Sequence, residues 1–263
     1  MILLLALCLS ASAAELKVHF LDVGQGDSIL IEAPGDKRVL VDAGTSGADV
    51  DDMLRKRGIE RLDLVVATHP HADHIGGMSK VLKTIPVGMY VDNGMTHTTM
   101  TYARTMATVE AKGIQYRAGL AGRVFNVGNR VRIEVIHPRT NKMRGTRSDL
   151  NSNSVVLRVD HKKDCFLLTG DAEDPSERFM MNNDIANCEV LKVAHHGSKH
   201  STSMEWLNAI QPKIAVISVG EGNRYKHPAQ DTLNRLERSG TEIHRTDLEG
   251  TVTLISTGRG ITV

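Results

Sequence analysis

The chain alternates short apolar runs with polar turns along most of its length. Leu16-Lys17-Val18-His19-Phe20-Leu21-Asp22-Val23 has a period of two, the mark of a strand with one buried face. Gly24-Gln25-Gly26-Asp27-Ser28 makes a tight connection, and Ile29-Leu30-Ile31 returns as a second strand. Pro34-Gly35-Asp36 then turns the chain into a third strand, which ends at Asp42-Ala43-Gly44. Apolar runs rich in β-branched residues predict further strands at 62–67, 87–91, 155–159, 166–168, 190–194 and 214–219, with a strand pair at 124–136 around Gly128-Asn129. Strands at 242–245 and 251–256 close the pattern. Helical spacing marks 48–58, 75–82, 98–112, 202–210 and 233–239, with Gly58 and Gly113 as stops.

With 263 residues the chain can bury a full core, as one domain or two similar halves. Hydrophobic content of 41% and charged content of 24% are those of an ordinary globular protein. A net charge of +1 gives no overall field favouring nucleic acid or an acidic surface. Aromatic content of 3%, with one Trp, argues against an extended base-stacking platform, though not against a nuclease that grips phosphates.

The chemistry concentrates behind the strand at 62–67, in Thr68-His69-Pro70-His71-Ala72-Asp73-His74-Ile75-Gly76-Gly77. Imidazole and carboxylate both bind zinc at about 2 Å. His69 and His71, two apart in an extended segment, point the same way. Asp73 and His74 follow where the chain turns, so they can face a second ion. Gly76 and Gly77 allow close backbone approach. A solvated histidine-rich loop is the plain alternative, but four ligand-type side chains at this spacing favour a metal centre. Two more strands end in similar groups, Phe166-Leu167-Leu168-Thr169-Gly170-Asp171 and Val190-Leu191-Lys192-Val193-Ala194-His195-His196-Gly197-Ser198.

The H-x-H-x-D-H pattern with these two strand ends resembles the metallo-β-lactamase superfamily. The resemblance implies an α/β fold of the αββα type, two mixed sheets flanked by helices, with one or two metals at the sheet ends. Asp171 matches the bridging carboxylate, whose two oxygens can hold cations about 3.5–4 Å apart. Asp42 matches a strand-end Asp that hydrogen-bonds the metal loop without touching metal. Asp22 and Asp27 can act similarly, or simply form turns. One of His195 and His196 would bind the second metal and the other would sit over the substrate as donor or acid. His196, directly before the glycine, is the expected ligand. The implied metal set is thus His69, His71, Asp73, His74, Asp171 and His195 or His196, holding two divalent ions, zinc or manganese.

Phe20-Leu21-Asp22-Val23-Gly24-Gln25-Gly26-Asp27 narrows the resemblance to the hydrolase domain of ComEC-type competence (DNA-uptake) proteins and their free-standing relatives. Asn223-Arg224-Tyr225-Lys226-His227-Pro228 resembles that branch's Asn-x-Tyr-x-His-Pro, which makes His227 a candidate general acid. Many superfamily members carry another histidine ligand where this chain has Asn151-Ser152-Asn153-Ser154. The first metal then has one fewer protein ligand, and Asn153 or Ser154 becomes a candidate to orient a water or substrate oxygen. The loop 137–148 carries Arg139, Lys142, Arg144 and Arg147, with no acid until Asp149. It suits phosphate contact, and equally a plain solvated loop.

Residues 1–14 read as a secretory signal, a short apolar stretch ending in the small-x-small Ala11-Ser12-Ala13, although no basic residue precedes it. The expected product is a secreted or periplasmic hydrolase domain, 15–263. Cys8 follows Leu7, not the small residue a lipid-anchor site needs, and no other segment is apolar enough to cross a membrane. Cys165 and Cys188 then remain. They can pair in an oxidising compartment if their strands are parallel neighbours, or stay as buried thiols.

The expected activity is metal-dependent hydrolysis of a phosphodiester, DNA among the candidates, with catalytic roles for Asp73, His195, His227 and Asn153. The alternatives are another phosphoester hydrolase acting on choline or lipid headgroups, a β-lactamase, and a non-catalytic metal-stabilised binding module.

Overall fold

Strands that are apolar on both faces need cover on both sides, and that requirement shapes this molecule. The computed structural model describes residues 15–183 and 185–263; the expected signal, 1–14, lies outside them. The first sheet contains β1 (Leu16–Phe20), β2 (Ile29–Ala33), β3 (Lys37–Val41), β4 (Leu64–Val66), β5 (Met89–Asp92) and β6 (Gln115–Ala118). The second contains β7 (Val124–Val127), β8 (Val131–His137), β9 (Val156–His161), β10 (Asp164–Leu168), β11 (Val190–Lys192), β12 (Ile214–Ile217) and β13 (Glu242–Arg245). The chain then returns to the first sheet with β14 (Val252–Ser256) and β15 (Ile261–Thr262). The orders are β15-β14-β1-β2-β3-β4-β5-β6 and β13-β12-β11-β10-β9-β8-β7. Each sheet is mixed: β3 to β6 and β10 to β13 run parallel within their sheets, and the rest are antiparallel.

The inward faces meet in one core, with Val18, Phe20, Ile31, Val41 and Val66 opposite Ile133, Leu157, Phe166 and Val216. The outer face of the first sheet, Leu30, Leu40, Val65 and Tyr90, is buried with residues of α1 (Val50–Lys56), α2 (Ala72–Ile75), α3 (Met78–Thr84) and α4 (Met100–Ala111). The outer face of the second, Leu167, Leu191 and Ala215, is buried with α5 (Asp174–Met181), α6 (Met204–Ile210) and α7 (Gln230–Arg238), where Trp206 is fully enclosed. A short α8 (Thr246–Glu249) precedes β14. The expected αββα sandwich is therefore the observed one.

The helix expected over 75–82 is two, α2 and α3, separated at Gly76-Gly77. A Cβ on Gly76 would strike the backbone of Ser46, so chain entry to α3 depends on that glycine. β6 escaped the sequence pattern because it is a largely exposed edge strand. α5 escaped because it starts directly after the Gly-Asp turn, behind a proline in its first turn.

β10 and β11 pair in parallel, which brings Cys165 and Cys188 together as a buried disulfide with Cα atoms 5.0 Å apart. It ties the start of β10 to the position two residues before β11. Opening a loop with a sequence separation of 23 frees the unfolded chain, so the Cys165→Ala/Cys188→Ala variant should lose about 3 kcal/mol. Guanidinium unfolding of the two proteins measures this, and equal midpoints would contradict it.

His137, at the end of β8, donates from Nε2 to the Ser152 carbonyl at 2.9 Å. Burial pushes its pKa down to about 4 from an ordinary 6.5. The folded protein thus keeps it neutral where the unfolded chain takes up a proton. Its contribution is complete above pH 6.5 and is lost as pH falls toward 4, by up to about 3 kcal/mol. Urea titrations across that window should give a shallower pH slope for His137→Gln than for the unmodified chain.

Candidate metal centre

The parallel strands of both sheets run the same functional residues out at their carboxyl ends, where open α/β sheets bind ligands. β3 ends at Asp42, β4 at Thr68-His69, β10 at Gly170-Asp171, and β11 at Lys192 ahead of His195-His196. The Thr68 carbonyl accepts from Val155 N at 2.8 Å, and Gly170 O accepts from His195 N at 3.1 Å, so the ends are tied to one another.

Asp171 sits at the middle. Its Oδ1 lies 3.3 Å from His74 Nε2 and 3.7 Å from His196 Nε2. Its Oδ2 lies 3.7 Å from His69 Nε2 and 3.7 Å from His195 Nε2. His69 Nε2 is 2.9 Å from His71 Nδ1, and His196 Nε2 is 3.4 Å from Asp73 Oδ2. The carboxylate therefore turns one oxygen to His74, His196 and Asp73, and the other to His69, His71 and His195. His195 and His196 reach their separate places because both adopt left-handed backbone, φ 49° and 52°. Consecutive non-glycine residues in that region are strained and persist where the surroundings demand them.

Behind these groups lies a layer that orients them. Asp42 Oδ2 accepts from His74 Nδ1 at 2.8 Å and from the Thr68 hydroxyl at 2.7 Å, which leaves His74 Nε2 facing Asp171. His196 Nδ1 donates to Ser218 O at 2.9 Å, leaving its Nε2 facing Asp73 and Asp171. Asp27, buried, meets Lys192 Nζ at 2.6 Å and His196 Nδ1 at 3.4 Å. Lys192 is itself enclosed and also donates to Gly170 O and Val193 O. Glu173, buried, lies 3.4 Å from His195 Nδ1.

The donor set fits divalent cations. His74 Nε2, His196 Nε2 and Asp171 Oδ1 are buried without a hydrogen-bond partner, which is expensive unless something else satisfies them. His69, His74 and Asp171 converge within 4.8 Å, as do Asp73, His74 and His196. Charge points the same way. Burial works against a charged His74, yet the carboxylates of Asp171 and Asp42 raise its pKa well above the ordinary value. Burial likewise works against His196, and Asp171 and Asp27 push it up to about 10. His69 is held well below its ordinary value by burial and by His74. The site draws positive charge, and protons on His74 and His196 supply it when no cation does.

The structure brings His69, His71, Asp73, His74, Asp171, His195, His196 and His227 to one place, and leaves other residues singled out from sequence elsewhere. Among the two asparagines, Asn151 rather than Asn153 lines the cleft. The Asn153 amide is taken up by loop backbone: Oδ1 accepts from Met143 N at 2.9 Å, and Nδ2 donates to Met143 O and Asp149 O. Asn151 Oδ1 is buried with no partner. Ser154 Oγ accepts from Asp171 N at 3.2 Å and lies 3.4 Å from His69 Nδ1. Asp22 is an exposed turn former, bonded to Gly24 N, whereas Asp27 belongs to the site. None of Arg139, Lys142, Arg144 and Arg147 lines the cleft. Gln25, Glu173 and Lys192 were not expected; only their positions beside Asp27, Asp171 and His195 in sequence hinted at them.

The cleft measures about 360 Å³ and is walled on one side by Tyr225 and His227. The His227 ring stacks on Tyr225 at 5.9 Å. Burial, with His195 and His196 nearby, pushes its pKa down to about 4, which favours the neutral imidazole at pH 7.

Residues 21–221 match the metallo-beta-lactamase superfamily. Over 93% of its length the chain is 31% identical to ComE operon protein 3 of Bacillus subtilis (strain 168), of which it covers 33%. Over 94% of its length it is 32% identical to competence protein ComA of Neisseria gonorrhoeae, again covering 33%. The chain thus spans about a third of the length of these relatives. The crystal structure of YhfI, a metallo-beta-lactamase fold protein from Bacillus subtilis, superposes with a TM-score of 0.60 at 12% identity, over 92% of this chain and 100% of that one; this likeness is of fold. The chain belongs to the metallo-β-lactamase superfamily. Within it, the chain is homologous to one part of larger competence proteins, about a third of their length.

Because His74 and His196 carry protons before a cation binds, binding should expel them, and apparent affinity should rise with pH through the neutral range. Calorimetric titration with Mn²⁺ in buffers of different ionisation enthalpy measures the release; heats that do not depend on buffer would contradict it.

Proposed function

We propose that this domain is an exported, two-metal phosphodiesterase that acts on DNA. The observation that carries the reading is the division of Asp171, one oxygen toward each of two histidine clusters, at the floor of an open polar cleft. His69, His71 and Asp171 Oδ2 would hold one divalent ion, manganese or zinc, and Asp73, His74, His196 and Asp171 Oδ1 the other. Such a pair supplies an acidified water as nucleophile and neutralises charge on the attacked phosphate. Asp42 and Asp27 keep His74 and His196 turned inward. Asn151 Oδ1 would accept a hydrogen bond from the attacking water and so orient it. His195, a quarter exposed and backed by Glu173, donates toward the substrate. His227, neutral, offers a hydrogen bond to the leaving oxygen.

Phosphodiester is favoured over lactam because the superfamily's usual extra histidine is replaced by the Asn-Ser segment and the cleft wall is polar. The competence names of the relatives favour DNA. Arg144 and Arg147, exposed on the loop anchored by Asn153, suit contact with phosphates flanking the scissile one. The disulfide favours an oxidising compartment, in keeping with a signal at residues 1–14.

The test uses residues 15–263, stripped of metal and then supplied with Mn²⁺ or Zn²⁺, on bis(p-nitrophenyl) phosphate and on linear DNA. Both should be cleaved only with metal, and Asp73→Ala should reduce the rate more than about 100-fold. Cleavage of the small diester alone would redirect the reading to headgroup or other small esters. No turnover by folded, metal-bound protein would refute it.

A further inference from the structure

The loop after β12, which walls one side of the cleft, is held at many points. Asn223 staples it from within: its Nδ2 donates to Gly220 O at 2.9 Å and to His227 O at 2.6 Å, and its Oδ1 accepts from His227 N at 3.0 Å. Two contacts fix it from outside. Gly220 N donates to Gln25 Oε1 at 3.3 Å, and Pro228 packs where a Cβ on Gly197 would stand. A loop tied down in this way presents its side chains in one place, and a ligand has little ordering left to impose.

It presents a row of planar groups that leads out from the metal centre. The His195 and His227 rings are 5.7 Å apart, and the His227 and Tyr225 rings are 5.9 Å apart and inclined by 18°. Tyr225 is half exposed, and Arg224 Cζ lies over its ring, 4.9 Å from the centre. Arg224 Nη2 also donates to the Tyr225 hydroxyl at 2.8 Å. Ring and hydroxyl together fix the guanidinium, which stays exposed. One of its five N–H groups is used in this way; the others have no protein partner among the described residues. The Tyr225 hydroxyl, and after it Asp73, raise the Arg224 pKa, so the field of the metal loop reaches this cation. The cleft lining itself holds no lysine or arginine, and Arg224 stands directly beside it on Tyr225.

We propose that Arg224, held on Tyr225, forms a subsite for a second phosphate of the substrate, on the leaving side of the scissile one, and so selects polynucleotides over isolated diesters. The proposal rests on the phosphodiesterase reading. In that reading two cations at the inner end of the row would hold the scissile phosphate, and His227 faces the leaving oxygen. Two rings separate Arg224 from His195, so it serves an anion that reaches it along the substrate. A nucleotide chain brings one with every unit, and a small diester brings none. The planar fork matches two oxygens of one phosphate, and stacking on the ring leaves its edge free to meet them.

The test compares full-length protein loaded with Mn²⁺ and its Arg224→Ala, Arg224→Lys, Tyr225→Phe and Lys226→Ala variants, with metal content and melting temperature recorded for each. Hydrolysis is measured on the thymidine dinucleotide TpT and on the same dinucleotide with a phosphate added at either end. Calorimetry measures binding of thymidine 3′,5′-bisphosphate and of the two thymidine monophosphates. The unmodified protein should favour one of the phosphorylated dinucleotides over TpT about tenfold in kcat/KM, with the gain in KM, and the bisphosphate over the monophosphates by a similar factor. Both ratios should fall to about one in Arg224→Ala and be partly kept in Arg224→Lys, whose ammonium has the charge without the fork. Tyr225→Phe, which removes the hydroxyl under the guanidinium, should lower them about threefold. Lys226→Ala, which removes another exposed cation of the loop, should preserve both ratios. Equal rates on all three dinucleotides, a preference that survives Arg224→Ala, or one that Lys226→Ala lowers as much would overturn the proposal. If no dinucleotide is hydrolysed, the phosphodiesterase reading fails. In that case a bisphosphate preference lost in Arg224→Ala still supports the subsite, and one that is absent or unchanged overturns it.

Discussion

A carboxylate removed from water needs a counter-charge, and this molecule removes several in one small volume. Asp27, Asp42 and Asp171 are buried, and Asp73 is mostly so. Left unpaired, they would not stay ionised. Three kinds of partner answer them. Lys192 is enclosed against Asp27, histidines face Asp42 and Asp171, and the unsatisfied atoms around Asp171 leave room for cations. The ends of both sheets are arranged around that requirement. Breaking a buried pair leaves an uncompensated charge, so the layer behind the metal groups contributes to stability as well as to chemistry.

The sandwich makes this arrangement possible because each layer delivers its residues to the same end. β3 and β4 bring Asp42 and the histidine loop, and β10 and β11 bring Asp171, His195 and His196. The disulfide lies at the opposite end of β10 and β11, so covalent tie and metal site bracket the same two strands. Where the loops must converge, the backbone accepts strain or loses side chains. His195 and His196 sit in left-handed geometry, and Gly26, Gly76 and Gly220 stand where any Cβ would collide with a neighbouring loop. These are the positions at which local preference yields to the site.

Much of this was legible without coordinates. Short apolar runs rich in β-branched residues located most strands of both sheets, because strands covered on both faces are apolar along their length. The H-x-H-x-D-H pattern announced the metal loop, since few other functions require that density of ligands. Asp42 was legible as a supporting carboxylate, and Cys165 and Cys188 as a possible pair. Elements with a weak signal were missed for a physical reason. β6 is polar and exposed, and α5 begins in a turn whose residues read equally well as loop.

By itself, the sequence determined the class of fold, the location of the metal loop and the kinds of atoms that would meet there. Those follow from residue type and local spacing. Only the tertiary structure decided which of several equivalent residues do so. Asn151 and Asn153 are two apart in a short turn, and a small rotation of that turn sends one amide to the cleft and the other to the loop at Met143. Asp22 and Asp27 differ only in how the β1–β2 connection packs against Lys192 and His196. The division of His195 and His196 across the two oxygens of Asp171 depends on backbone torsions imposed by strands more than twenty positions away. Long-range packing sets these choices, and no local pattern in the chain encodes it.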